Sequence, residues 1–175
     1  LQKILESPDM SDIAWAFQRL QGYSGLSPEL QKAVTRFIKN ENYSLASMAI
    51  ASVNPEDLAS APLQRILLEK LPGLNYSLKN RIIAKLKEAP GLDDSVKTAL
   101  ANSLAAAEGS FMINILELFA KQNITDAETC RLVSGLLEHE NSFAARKAFE
   151  FLEKADSRDE TVLERMARYK ERQEP

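Results

Sequence analysis

The chain has one cysteine and one histidine in 175 residues, and each scarcity closes off a class of chemistry. A single thiol, Cys130, permits no internal disulfide and fits a reducing compartment. With His139 the only imidazole, the usual cysteine and histidine zinc sites are excluded, as is the Glu-x-x-His pattern of helical di-iron proteins. If one helix runs through both, the nine positions between Cys130 and His139 turn them to opposite sides, so they form no nucleophile–base pair. The six glycines stand singly at helix ends or linkers, which leaves no phosphate-cradling loop. No apolar run approaches the roughly 20 residues of a membrane span. A net charge of -3 counts against bulk attraction to nucleic acid or anionic membrane, though not against a local basic patch. Neither a cofactor nor an enzyme activity is expected.

What the chain has in quantity is helix punctuation. Apolar residues are 45% and charged residues 27% of it, values ordinary for a soluble globular protein. Its length suits one domain with a substantial core. Valines and isoleucines sit singly in helical patterns, and no alternating run reaches strand length. Ser27 before Pro28 reads as an N-cap followed by proline at the first helical position. Thr125-Asp-Ala-Glu128 and Ser157-Arg-Asp-Glu160 read as capping boxes. Leu71-Pro72-Gly73 and Ala89-Pro90-Gly91 read as stops. Asp93-Asp94 and the pair Asp156 and Asp159 sit at helix starts, where acids complement the dipole.

The start signals form three ladders. First helices begin near Ser27, Ser77 and Thr125, second helices near Asn42, Asp93 and Asn141, third helices near Ser60, Ser110 and Ser157. Each ladder steps by about fifty residues, a period expected of stacked helical units. Residues 34–42 also lie over 133–141 at an offset of 99, and Ala46, Ala49, Ile50 and Val53 meet Ala145, Ala148, Phe149 and Leu152. The expected organisation is a partial unit or cap over 1–24, then 27–74, 75–123 and 124–171, with fraying expected after Tyr169 and a frayed tail at 172–175. An irregular helical bundle is the alternative.

In its pattern and spacing, 27–171 resembles the armadillo/HEAT helical repeats. That resemblance implies a right-handed α-solenoid of about three three-helix repeats. It also implies that third helices line a groove, which makes Asn114, Glu117 and Lys121 on the polar stripe of 111–121 a candidate groove surface.

Two further features are candidate binding surfaces. Lys32 corresponds to Arg81 and Arg131, and Arg36 to Lys85, so side-by-side first helices would carry a ridge of cations, with Lys79 and Lys87 adding charge nearby. Such a ridge suits an acidic peptide, a phosphorylated segment or a phosphate backbone. Trp15 falls opposite the Ile13, Phe17 and Leu20 stripe, so it either packs on another layer or marks a partner site. The expectation is a non-catalytic interaction scaffold for another protein or an acidic peptide. Nucleic-acid binding through the ridge is an alternative that the acidic balance disfavours. A structural or homo-oligomeric segment of a larger helical-repeat chain is the third reading. The chain opens at Leu1 without a signal-peptide pattern. A cytoplasmic setting is favoured, and a processed exported chain or excised domain is the alternative.

Overall fold

Short polar side chains set the helix starts. Ser27 accepts the N–H of Leu30, Asn42 those of Ser44 and Leu45, and Asn141 those of Phe143 and Ala144, each satisfying donors that a first turn leaves unpaired. The computed structural model describes residues 1–23 and 25–173. Among them are ten α-helices and no strand: α1 Met10–Leu20, α2 Pro28–Arg36, α3 Tyr43–Ala51, α4 Ala61–Lys70, α5 Tyr76–Leu86, α6 Asp94–Ser103, α7 Gly109–Lys121, α8 Ala127–Ser134, α9 Ser142–Ala155 and α10 Glu160–Gln173.

Several expected starts move by a residue or two because a neighbour is the better acceptor. Asn75, not Ser77, caps α5 by accepting the N–H of Leu78. Asp126, not Thr125, caps α8, taking the Thr129 N–H at 2.9 Å and its hydroxyl at 2.8 Å. Asp159, not Ser157, caps α10 through Val162, while Ser157 Oγ accepts the Asp159 N–H. Ser110 lies inside the first turn of α7. The C-terminal helix does not fray at Tyr169. It continues to Gln173, held by Phe149 stacked on Tyr169 at 5.0 Å and by Arg172 donating to the Leu137 carbonyl at 3.0 Å. The end of the expected tail, Glu174 and Pro175, lies outside the described residues, as does Ser24.

The starts recur more often than every fifty residues. Odd-numbered helices begin at Met10, Tyr43, Tyr76, Gly109 and Ser142, even-numbered ones at Pro28, Ala61, Asp94, Ala127 and Glu160, so residue numbers in both series rise by a constant 33. Side chains follow the same register. Ala16, Ala49, Ile82, Ile115 and Ala148 are one column; Leu20, Val53, Leu86, Phe119 and Leu152 are another; both are buried along their whole length. Before the even helices the column reads Ser27, Ser60, Asp93, Asp126, Asp159.

The chain divides into two compact units, Leu1–Asp93 and Asp94–Pro175. In the first, α1, α3 and α5 pack in succession as one layer, and α2 packs on α4 as a second. Its core is built from Phe17, Leu20, Val34, Ile38, Ile50, Leu67 and Ile82, with Phe17 edge-on to Phe37 at 5.3 Å. Burying each such side chain contributes about 1.5–3 kcal/mol. Buried polar groups are satisfied locally. Asp57 accepts the Leu26 N–H at 2.7 Å, and Gln64 ties the loop before α4 to the loop before α6. In the second unit α7 packs on α9, while α8 lies against both α6 and α10. Phe119, Phe151, Leu100, Val133 and Leu137 fill its core.

Candidate interaction face

Within the first unit the outward positions of α1, α3 and α5 stand in register, because their starts keep one constant offset and the helices pack side by side. Trp15, Met48 and Arg81 share one position, and Met10, Tyr43 and Tyr76 share another at the helix starts. Trp15 is 46% exposed, Tyr43 42% and Tyr76 51%. Trp15 therefore does not pack on another layer; its ring carries the Arg19 guanidinium at 5.3 Å, a cation–π contact. Tyr43 Oη is 2.8 Å from Ser77 Oγ. The Ser77 hydroxyl first, and then the Arg81 guanidinium, hold the Tyr43 hydroxyl below its usual pKa.

A shallow groove runs between α3 and α5, lined by Ser47, Ile50, Ala51, Arg81, Ala84, Lys85 and Glu88. Between α7 and α9 of the second unit lies a groove lined by Leu116, Glu117, Ala120, Lys147, Glu150, Phe151 and Lys154. Most of these lining positions correspond two register steps apart, Ile50 with Leu116, Arg81 with Lys147 and Glu88 with Lys154 among them. Their electrostatics differ. Lys147 is held by Glu150 at 2.7 Å and Lys85 by Glu88 at 2.9 Å, whereas no carboxylate of the described residues pairs with Arg81 or Arg19.

The cations expected to form a ridge occupy different settings. Lys32 and Arg36 stand on α2, Arg81 and Lys85 on α5; α2 packs on α3 and α4, α5 likewise on α3 and α4. Arg36 donates to the Leu5 carbonyl at 2.6 Å and lies over Phe37. Arg131 pairs with the α10 cap, Nε to Asp159 Oδ2 at 2.7 Å. Its guanidinium, through that hydrogen bond, holds the Asp159 carboxyl below the usual range. By the register of the helix starts, Lys32 corresponds to Arg65 and Arg131, not to Arg81. Arg65 Nε reaches the Asp93 carboxylate at 3.9 Å, the counterpart of the Arg131 pair. On α7, Glu117 and Lys121 are exposed and Asn114 is half-buried at the position of Trp15 and Arg81.

The two residues weighed for chemistry are on separate elements. The α-helix ends at Ser134, a 3₁₀ turn follows over Gly135–Glu138, and His139 is extended. Buried Cys130 donates from Sγ to the Thr125 carbonyl at 3.6 Å, and burial pushes its thiol up. Half-buried Met48 and exposed Tyr43, Tyr76 and Arg19 were not singled out by helical patterning; only the shorter register groups them. Among the described residues no helix is long and apolar enough to cross a membrane. No protein-family model matches the chain, and no curated protein matches it significantly in sequence.

Proposed function

We propose that the chain is an α-solenoid of helical hairpins, each running from one odd helix start to the next, and that it serves as a non-catalytic scaffold for another protein. The observation that carries the architecture is the unbroken recurrence of helix starts, from Met10 and Pro28 through to Ser142 and Glu160. Support comes from packing inside each unit, where helices meet those one or two places along the chain, the nearest-neighbour pattern of repeat proteins. The hairpin is shorter than the roughly 40–47 residues of armadillo and HEAT repeats. The scaffold reading draws on the exposed tryptophan and tyrosines, residue types enriched where proteins meet. It draws also on the roles of Cys130 and His139, both engaged with backbone groups.

The test is a random peptide library panned against the folded chain, with the urea-unfolded chain as counter-selection. Enriched peptides that bind saturably in solution are the expected result. A library that yields no saturable binder to the folded chain would sink the scaffold reading.

A further inference from the structure

The outward face of α1, α3 and α5 combines three properties found together nowhere else among the described surfaces. First, α3 carries no charged residue from Tyr43 to Ala51, in a chain where 27% of residues are charged. Its half-buried Ser47, Met48 and Ala51 make a neutral floor. Second, the helices on either side each contribute a cation that no carboxylate neutralises, Arg19 on α1 and Arg81 on α5. Third, Trp15 and Tyr43 expose aromatic rings beside those cations.

We propose that this face binds an acidic peptide laid across the three helices, with one carboxylate on Arg19, another on Arg81, and an apolar side chain between them on Met48 and Ala51. This deepens the scaffold reading and rests on it. Two guanidiniums offer paired donors that match carboxylate geometry, and no carboxylate among the described residues competes for either. A neutral gap between the cations is the discriminating feature. A phosphate backbone presents charge at every step and is matched by a continuous basic track, which α3 interrupts. A peptide can instead space two acidic side chains with an apolar one between them, as this face requires. Two helix-to-helix steps of roughly 8–10 Å separate α1 from α5. An extended chain at about 3.3 Å per residue crosses that span in about five or six residues. The corresponding α7–α9 groove, whose Lys147 is already held by Glu150, is not expected to compete.

The experiment uses the full chain and a fluorescein-labelled peptide with two aspartates about six residues apart and a leucine and a phenylalanine between them. Trp15 is the only tryptophan, so its emission reports on this face alone, while anisotropy of the label reports binding anywhere. The expected result is saturable binding that shifts Trp15 emission. Binding should weaken at least about tenfold in Arg81→Glu and in the milder Arg81→Gln, with helical content and melting unchanged. It should be unaffected by Lys147→Glu in the second unit. Binding that survives Arg81→Glu and Arg19→Glu but is lost in Lys147→Glu overturns the assignment while leaving a scaffold standing. Loss of specificity for aspartate, with oligothymidylate shifting Trp15 equally well, overturns it in favour of nucleic acid. If library peptides bind but this probe does not, this inference alone fails.

Discussion

His139 Nδ1 accepts the backbone N–H of Asn141 at 3.0 Å, two residues before the cap of α9. Asn40 Oδ1 does the same for Asn42 at 2.8 Å and Ser7 Oγ for Asp9 at 3.1 Å. These three acceptors occupy one position of the repeating register. The lone histidine is thus a turn residue, and the bond requires the tautomer protonated on Nε2. His139→Asn should leave stability within error, since asparagine already fills this place at residue 40. His139→Ala should cost about 0.5–1.5 kcal/mol in a urea titration. Equal losses in both variants would remove the assignment.

The Arg131–Asp159 pair gives a pH prediction with a definite sign. Because Asp159 titrates below the ordinary carboxylate range when folded, its contribution is fully present above the unfolded carboxylate pKa and is lost as pH falls through the depressed folded value. Arg131→Gln should bring the Asp159 pKa back up and flatten the acid limb of the stability curve. A carbon-13 carboxyl titration of the two proteins reads this directly. An Asp159 pKa unchanged by the substitution would contradict the geometry.

Much of the helical fold was legible because its signals are local. Apolar stripes and polar caps such as Ser27, Asn42 and Asn141 need only a few neighbouring residues to be recognised. Grouping the helices was another matter. Consecutive starts, such as Met10, Pro28, Tyr43 and Ala61, are so spaced that any three steps together come close to fifty, and a ladder of that period follows every third helix. Asparagine stands only before odd helices (Asn42, Asn75, Asn141) and serine only before even ones (Ser27, Ser60), but aspartate serves both series (Asp9, Asp126). All three residue types bond the same orphan donors, so a cap by itself does not assign its helix. An offset of 99 contains three of the shorter register steps as well as two near fifty, so the match of Val34–Asn42 with Val133–Asn141 fits both. Side-chain partners far along the chain were out of reach. Nothing near Arg131 in sequence signals Asp159, and nothing near Trp15 shows that no second layer covers it.

Gln64 offers a sharper test of packing in the first unit. It is buried, and its amide makes three bonds: Nε2 donates to the carbonyls of Leu58 at 2.7 Å and Gly91 at 2.8 Å, and Oε1 accepts the Asp93 N–H at 2.8 Å. Gln64→Leu keeps the bulk but strips these backbone groups of their partner. The expected loss is about 2–4 kcal/mol, since each buried group left unsatisfied costs about 1–3 kcal/mol and some regain water. Gln64→Glu with its acid protonated keeps the acceptor and one O–H donor in place of the two amide donors, and should be intermediate.

The small and large members of one core column predict opposite failures. Ala49 and Ile82 hold corresponding places on α3 and α5, each fully buried. Ile82→Ala should open a cavity at a cost of about 2–5 kcal/mol. Ala49→Ile, which merely copies its counterpart, should overpack the neighbouring turn of α1 or α5 and cost about 1–3 kcal/mol. Thermal melts of both variants check this, and a neutral Ala49→Ile would mean that the layer is looser than its burial indicates.

The proposed hairpin repeat is most directly tested by deletion. Removing residues 42–74 takes out α3 and α4 and joins Glu41 to Asn75. Asn75 then stands two residues after Asn40, with the same spacing as Asn42, and caps the next helix through the bond it already makes to Leu78. An odd helix still follows an even one, so α5 is delivered to the place of α3 with its buried column at Ile82 and Leu86 in register. Removing residues 27–74 instead, one unit of the fifty-residue grouping, joins α1 directly to α5. Two odd helices then follow each other, and the layer formed by α2 and α4 is lost. The first deletion should melt cooperatively with a lowered midpoint, because Ile82 must fit a site shaped for alanine. The second should lose cooperativity and expose apolar surface to a dye such as ANS. Circular dichroism melts with dye binding decide between them, and the hairpin register is falsified if the 27–74 deletion folds as well as the 42–74 deletion.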